Sequence, residues 1–484
     1  MEIDIMRSAV KNQYPLTGRK RLVTTVDGVD INAVVADIGK QSAARHYSQL
    51  SAKWLWDYAR NNQPILDRVD DSDGASSNNK VVVNFAAAIA RNLSAYTFPK
   101  GINYLSRNDS TECREFVEKL NKMMSLKSNN VAAQEMKWYQ SVCGHAFLYV
   151  NRDNSKLHDI PFMVQNIEPW NAFVVYSAYN VYEPVYAVVE YEDNSKVVFT
   201  KDVFVLIDEN NAASKPTPHI LGEVPIIEVP NNTMRMGDFE LALSLLDAIN
   251  SVTSDSVNNV QDIVKAYLVL IGVDKLDVED EKGNPRMDFT KGSIITLSGQ
   301  QGVNQSAQFI APQLDGTSVQ QLRSYMDSAL KFITGIPDRD TDNAASSTGV
   351  SEDIKTGQSD KDAIANEKTI FVEQSQRRIL EIIFRILQLE EPQLIPDGMT
   401  AADIDVDITR ANRDNILTKT QAMLNLKQIG MCDEDVVYFG NITNDVAGVA
   451  SRMVAEQASE SEDDLNAELE MLRNRSTRDI KEGV

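Results

Sequence analysis

Between residues 38 and 61, Tyr47, Leu50, Trp54 and Tyr58 recur three and four positions apart, which predicts one helix. Residues 70–79 are turn-rich and read as an exposed loop. Residues 80–99 open as a strand-like valine run and continue as an alanine-rich helix, and 112–124 and 131–142 are helical. From 146 to 229 the pattern changes. Short β-branched or aromatic runs at 147–150, 172–176, 185–189 and 197–199 are divided by Asn, Asp, Gly and Pro. They predict an antiparallel sheet with helices on one face.

A strand over 222–228 meets a polar turn at 231–237, then a helix over 238–266. Asp238 sits where a carboxylate complements the N-terminal dipole. Leu241, Leu245, Ala248, Ile249 and Val252 form one apolar stripe. Beyond it come Thr253, Ser254, Asp255, Ser256, Asn258 and Asn259. That polar half is either solvated or packed against a neighbouring subunit. A β-rich insertion follows, with strands from Tyr267 and over 292–297 around the charged turn 279–284. In the next helix, 317–334, Val319, Leu322, Met326, Leu330 and Ile333 define a single apolar face, and Gly335-Ile336-Pro337 stops it. A polar small-residue loop then leads to a long helix over 351–389, ended by Pro392 and Pro396. Residues 403–408 alternate as a strand, 413–429 and 445–456 are helical, and the tail from 459 is acidic, then mixed. The fold class is α+β, with two helices carrying a small β module as a projecting tip.

The 484 residues allow two or three domains. A net charge of −22 argues against tight DNA binding by the chain as a whole, because phosphate contacts supply most of that affinity. Cys113, Cys143 and Cys432 lie far apart and form no disulfide framework, which points to a reducing site of assembly. The N-terminus lacks the apolar core of a signal peptide, and the longest apolar run, 266–273, is too short to span a bilayer. No membrane partner is expected.

Catalytic chemistry is sparse. The Gly39-Lys40 pair has Val34 where a phosphate loop needs its first glycine, and Gln41 in place of Ser or Thr. No zinc-protease or nucleophile-elbow motif occurs. His46, His145, His158 and His219 read as plain surface or core residues. Asp70, Asp71, Asp73 and Gly74 miss the calcium-loop register. Asp403, Asp405 and Asp407 share a strand face that is either solvated or able to hold a cation. The latter would suit a metal-dependent nuclease or hydrolase. Lys265, Lys275, Lys282, Arg286 and Lys291 in and beside the insertion either solubilise it or meet a partner. No cofactor and no enzyme is implied.

Several words occur in a specific order. They are Asn79-Lys80-Val81-Val82-Val83-Asn84-Phe85 with Tyr96-Thr97-Phe98, and Gly144-His145-Ala146-Phe147. Then come Gly222 to Pro225, Asn231-Asn232 and Gly237-Asp238-Phe239-Glu240, and lastly Thr334-Gly335-Ile336-Pro337-Asp338 with Ser346-Ser347-Thr348-Gly349-Val350. Over about residues 40–455 this order resembles the portal proteins of tailed bacteriophages, of the siphophage type. The resemblance implies a dodecameric ring at one capsid vertex of the virion, assembled in the host cytoplasm. DNA would pass through its channel during packaging and ejection. It implies a wing (1–236), a first stem helix (237–266), a clip (267–316), a second stem helix (317–337) and a tunnel loop (338–350). A long wing helix (351–391), a mainly helical crown (392–456) and a flexible tail (457–484) follow. The tunnel loop would bring Arg339, Asp340, Asp342, Asn343, Ser346, Ser347 and Thr348 near non-specifically passing double-stranded DNA. The clip, with Lys275, Lys282, Arg286 and Lys291, would meet the terminase and later head-completion or adaptor proteins. Major capsid and scaffolding proteins are further partners on this reading. A capsid-associated scaffold without a channel is the other structural reading.

Overall fold

A computed structural model describes residues 18–69, 77–98, 101–108, 110–153, 160–210, 212–264, 267–271, 294–297, 306–310, 316–336, 358–408, 416–432, 435–437, 449 and 453. The predicted helix at 445–456, the tail and the loop over 70–76 fall almost wholly outside them.

Strand β1 (Leu22–Thr24) leads to helix α1 (Ile31–Lys40), whose N-cap Asp30 accepts from the Asn32 amide at 3.0 Å. Helix α2 (Ser42–Ala59) follows. The single helix expected over 38–61 is therefore two, broken at Gln41, whose amide side chain donates to the Val23 carbonyl at 2.8 Å. The break separates two burial duties. Val34 and Ile38 of α1 join one core, while Leu55 and Tyr58 of α2 join another.

Helices α3 (Phe85–Thr97), α4 (Thr111–Ser125) and α5 (Lys127–Cys143) come next. Asn84 caps α3 through the Ala87 amide at 3.0 Å, and Ser110 caps α4 through the Cys113 amide at 3.2 Å. The β region holds two sheets rather than one. Strands β3 (His145–Arg152), β4 (Phe162–Ile167) and β10 (Ile226–Pro230) form an antiparallel sheet in the order β10-β3-β4. Strands β5 (Ala172–Ser177), β6 (Pro184–Glu190), β7 (Lys196–Phe199), β8 (Val203–Ile207) and β9 (Thr217–Pro218) run antiparallel, with β1 added in parallel beside β5. The β1 pairing lies outside the region where the sequence announces strands.

Helix α6 (Leu243–Val264), strands β11 (Tyr267–Ile271), β12 (Ile294–Leu297) and β13 (Ser306–Ile310), and helix α7 (Gly316–Thr334) form a helix–sheet–helix arm. Its sheet is mixed, with β11 parallel to β12 and antiparallel to β13, a strand the sequence pattern did not reveal. Helix α8 (Gln358–Glu390) crosses the body. Its apolar second half, Ile379 to Leu387, is buried against Phe116 and Leu120 of α4, Met136 of α5 and Phe162 of β4. Strand β14 (Ile404–Asp407) pairs antiparallel with β2 (Asn103–Ser106), and α9 (Ile416–Gln428) follows.

Candidate functional site

The arm is rooted in one apolar cluster. Phe239, Leu243, Leu246 and Ile249 at its start meet Met326 and Leu330 of α7, together with Leu55, Tyr58 and Leu93 from the body. The sequence predicted one apolar face on α7, and the structure divides it. Met326 and Leu330 are buried, but Leu322 is 47% exposed and Ile333 40%, and beside them Tyr325 is 72% exposed and Phe332 83%. The apolar surface of α7 is thus wider than its own chain covers. Gly335 ends the helix at φ +64°, the left-handed C′ position, with Ile364 of α8 against it.

Beneath this root lies a polar joint. Gly144 closes α5 at φ +79°, and a Cβ there would stand 2.2 Å from the Arg235 carbonyl oxygen. A Cβ on Gly237 would stand 2.4 Å from the Val142 carbonyl oxygen. These two glycines let the turn 231–238 cross the end of α5 at backbone contact. Three buried ion pairs then fix the turn: Arg19–Glu240 at 2.8 Å, Arg235–Glu228 at 2.6 Å and Lys368–Asp238 at 2.5 Å. Three cations meet three anions, so the joint buries no net charge. Asp238 also accepts from Ser141 Oγ and from Asn231 Nδ2 at 2.8 Å. Beyond the dipole role the sequence suggested, its side chain is a buried anchor shared by α5, α8 and the root of α6. Glu240 accepts from the Gly237 amide at 2.8 Å.

Glu228 lies on β10 and receives both Nε and Nη2 of Arg235, plus the Tyr176 hydroxyl at 2.9 Å. Burial alone would raise its pKa, but the Arg235 guanidinium overrides this and holds the carboxyl well below the usual range. Burial pushes His145 below its ordinary value, although Glu228 Oε1 lies 3.4 Å from its Nδ1. Arg235 adopts φ +54°, a costly conformation for a non-glycine residue that its bidentate bond to Glu228 helps to hold.

One face of the polar half of α6 is neither solvated nor left for a neighbour, the two readings the sequence allowed: Ser254 and Asn258 are covered by the chain itself, while Asn259 on another face is exposed. Residues 79–83 lie along the covered face as a strap, held by side chains one helical turn apart. Asn258 Oδ1 accepts from the Asn79 amide at 2.6 Å, Ser254 Oγ from Val81 at 2.9 Å and Asn250 Oδ1 from Val83 at 2.8 Å. The spacing explains the fit, since four helical residues rise about 6.0 Å and two extended residues span about 6.6 Å. Gln63 joins the strap to the body through Asn250 Nδ2 at 2.5 Å and Asn84 Oδ1 at 3.3 Å. The valine run is thus no sheet strand. Its ladder partners are helix side chains.

The acidic strand face is engaged by protein. Asp405 is paired with Arg107 at 2.6 Å and Arg377 at 3.6 Å, and Asp403 accepts from the Thr400 amide and hydroxyl. Among the described residues no cluster of three or more His, Cys, Asp or Glu could hold a metal ion. His219 is held by the Thr200 carbonyl at 2.9 Å. The predicted loop residues Arg339, Asp340, Asp342, Asn343, Ser346, Ser347 and Thr348, and the predicted basic residues Lys275, Lys282, Arg286 and Lys291, lie outside the described residues. Sequence reasoning missed Arg19, Glu228, Arg235 and Lys368. The signal available for Glu228 was a lone carboxylate inside the apolar run 226–230.

Residues 45–463 match the family model described as "Phage portal protein, SPP1 Gp6-like". A solved structure described as "Neck of native GTA particle computed with C12 symmetry" aligns over 74% of this chain and 89% of that chain, at 7% identity and a TM-score of 0.43. No curated protein sequence matches the chain.

Proposed function

The chain belongs to the SPP1 Gp6-like family of phage portal proteins, a structural rather than enzymatic family, and on that premise we propose that it forms a closed, dodecameric ring at one capsid vertex. On this reading the ring is the channel for DNA packaging and ejection in the virion, and the docking site for terminase and head-completion proteins. Helices α6 and α7 are the stem, the sheet β12-β11-β13 belongs to the clip, α8 is the long wing helix, and β14 with α9 belongs to the crown. The tunnel loop is assigned to 338–350 and the partner-binding basic residues to the clip.

The observation that carries the ring is the uncovered apolar stripe on α7. Leu322, Tyr325 and Phe332 recur at spacings of three and seven, all exposed, on a helix whose Met326 and Leu330 are already packed in the core. A neighbouring copy that covers this stripe meets the next copy with a different surface, the arrangement that closes into rings. The test is negative-stain electron microscopy of the purified chain and of Phe332→Ser. Wild-type rings with an open centre, lost in the variant while its melting temperature holds, are the expected result. Compact oligomers without a hole would overturn the channel reading.

A further inference from the structure

The strap has a second edge. Its inward amides at Asn79, Val81 and Val83 are taken by α6, whereas the backbone N–H and C=O groups of Lys80 and Val82 have no partner among the described residues. Val81, Val82 and Val83 are half-buried, so a β-branched run presents an open main-chain edge backed by a helix. Proteins commonly guard such an edge with a lysine whose charge faces the would-be partner. Here that guard is withdrawn, because Lys80 Nζ donates to the Leu66 carbonyl at 2.7 Å.

We propose that this edge accepts an extended segment from a second copy of the chain, through main-chain hydrogen bonds at Lys80 and Val82. The inference rests on the ring reading. The occupant follows from continuity. The strap stands on α6, where the adjacent Val257 and Val260 are 36% and 57% exposed, on the same arm as the uncovered stripe of α7. On the ring reading a neighbouring copy lies against this same arm. The strap edge gives that contact a register, which apolar stripes alone do not supply.

Val82→Pro tests this without disturbing the inward ladder. Proline removes the outward N–H and biases residue 81 to the extended conformation that its bond to Ser254 already uses. Val82→Ala keeps the N–H and serves as the side-chain control. Ring formation is followed by sedimentation velocity against concentration, and amide exchange at residues 79, 81 and 83 shows that the strap stays seated. The expected result is wild-type assembly for Val82→Ala and, for Val82→Pro, an assembly concentration raised about tenfold or more with unchanged exchange. Wild-type assembly by Val82→Pro overturns the inference. If Phe332→Ser then still loses its rings, the ring reading survives alone. A wild-type chain that stays monomeric at every concentration reached overturns both.

Discussion

Lys368 Nζ, in the first half of α8, lies 2.5 Å from Asp238 Oδ2 at the root of α6, and both side chains are almost wholly excluded from water. The pair joins the long crossing helix to the arm at a point where neither charge can be hydrated. Removing one partner leaves the other charge buried and alone, a loss of about 3–5 kcal/mol. Lys368→Met is expected to destabilise the chain by that amount in urea unfolding. Lys368→Met with Asp238→Asn should cost less than the sum of the two single changes, because the double variant leaves neither charge buried alone. Strict additivity would show that the pair is not coupled.

Backbone contact sets the order of three glycine substitutions. Gly144, Gly335 and Gly398 all have positive φ, but a Cβ meets the Arg235 carbonyl at 2.2 Å, the flexible Ile364 Cδ1 at 2.7 Å and nothing within 4 Å respectively. All three alanine variants carry the conformational penalty of about 1 kcal/mol. Only Gly144→Ala must also displace backbone. Melting temperatures should fall in the order Gly144→Ala, Gly335→Ala, Gly398→Ala, with the largest drop first. Equal drops at Gly144 and Gly398 would mean that the turn 231–238 yields freely.

The joint should be acid-sensitive in two stages. His145 has a folded pKa below its ordinary value, chiefly through burial, so the stability linked to its neutral form is complete above about pH 6.5 and declines as pH falls below that value. Glu228 is also held below its ordinary value, so its contribution is complete above about pH 4.5 and is lost on further acidification. His219 is lowered as well, chiefly by burial, and adds to the first stage. His145→Leu should therefore flatten the fall in stability between pH 6.5 and 5 by up to about 1.4 kcal/mol per pH unit, leaving the His219 share. An unchanged slope in urea midpoints across that range would remove His145 from the account.

How much of this was legible depends on how local each partner is. The spacing of Val319, Met326 and Leu330 places α7 within one residue of its observed start, and alternation over 403–408 places β14. The joint is different, because Lys368 and Asp238 are 130 positions apart and no local pattern links them. Polar residues at 250, 254 and 258 have the same period whether they face water, a neighbour or a strap. The valine run at 81–83 has strand propensity, but propensity does not name its partner, and here the partner is a helix. The divided face of α7 escaped for a related reason. Periodicity identifies apolar positions without saying which of them one copy alone will cover.

The strap ladder predicts a graded loss of protection along one segment. Asn250 is fully buried and serves two partners, accepting from Val83 at 2.8 Å and donating to Gln63 at 2.5 Å. Asn250→Ala leaves the Val83 amide and the Gln63 carbonyl oxygen without these partners, at a cost of about 1–3 kcal/mol. Ser254→Ala loses the bond to Val81 and only a long contact of 3.4 Å to the Val81 carbonyl, so about 1 kcal/mol is expected. At the far end, Asn79 is held by Asn258 and also by Gln261 at 2.7 Å, so Asn258→Ala alone should leave that end partly seated. Amide exchange resolves the three positions. Val83 should exchange fastest in Asn250→Ala, Val81 in Ser254→Ala, and Asn79, whose amide loses its acceptor although its side chain stays on Gln261, in Asn258→Ala. If any one of these variants frees all three amides equally, the strap opens as a single unit and the rung-by-rung account is wrong.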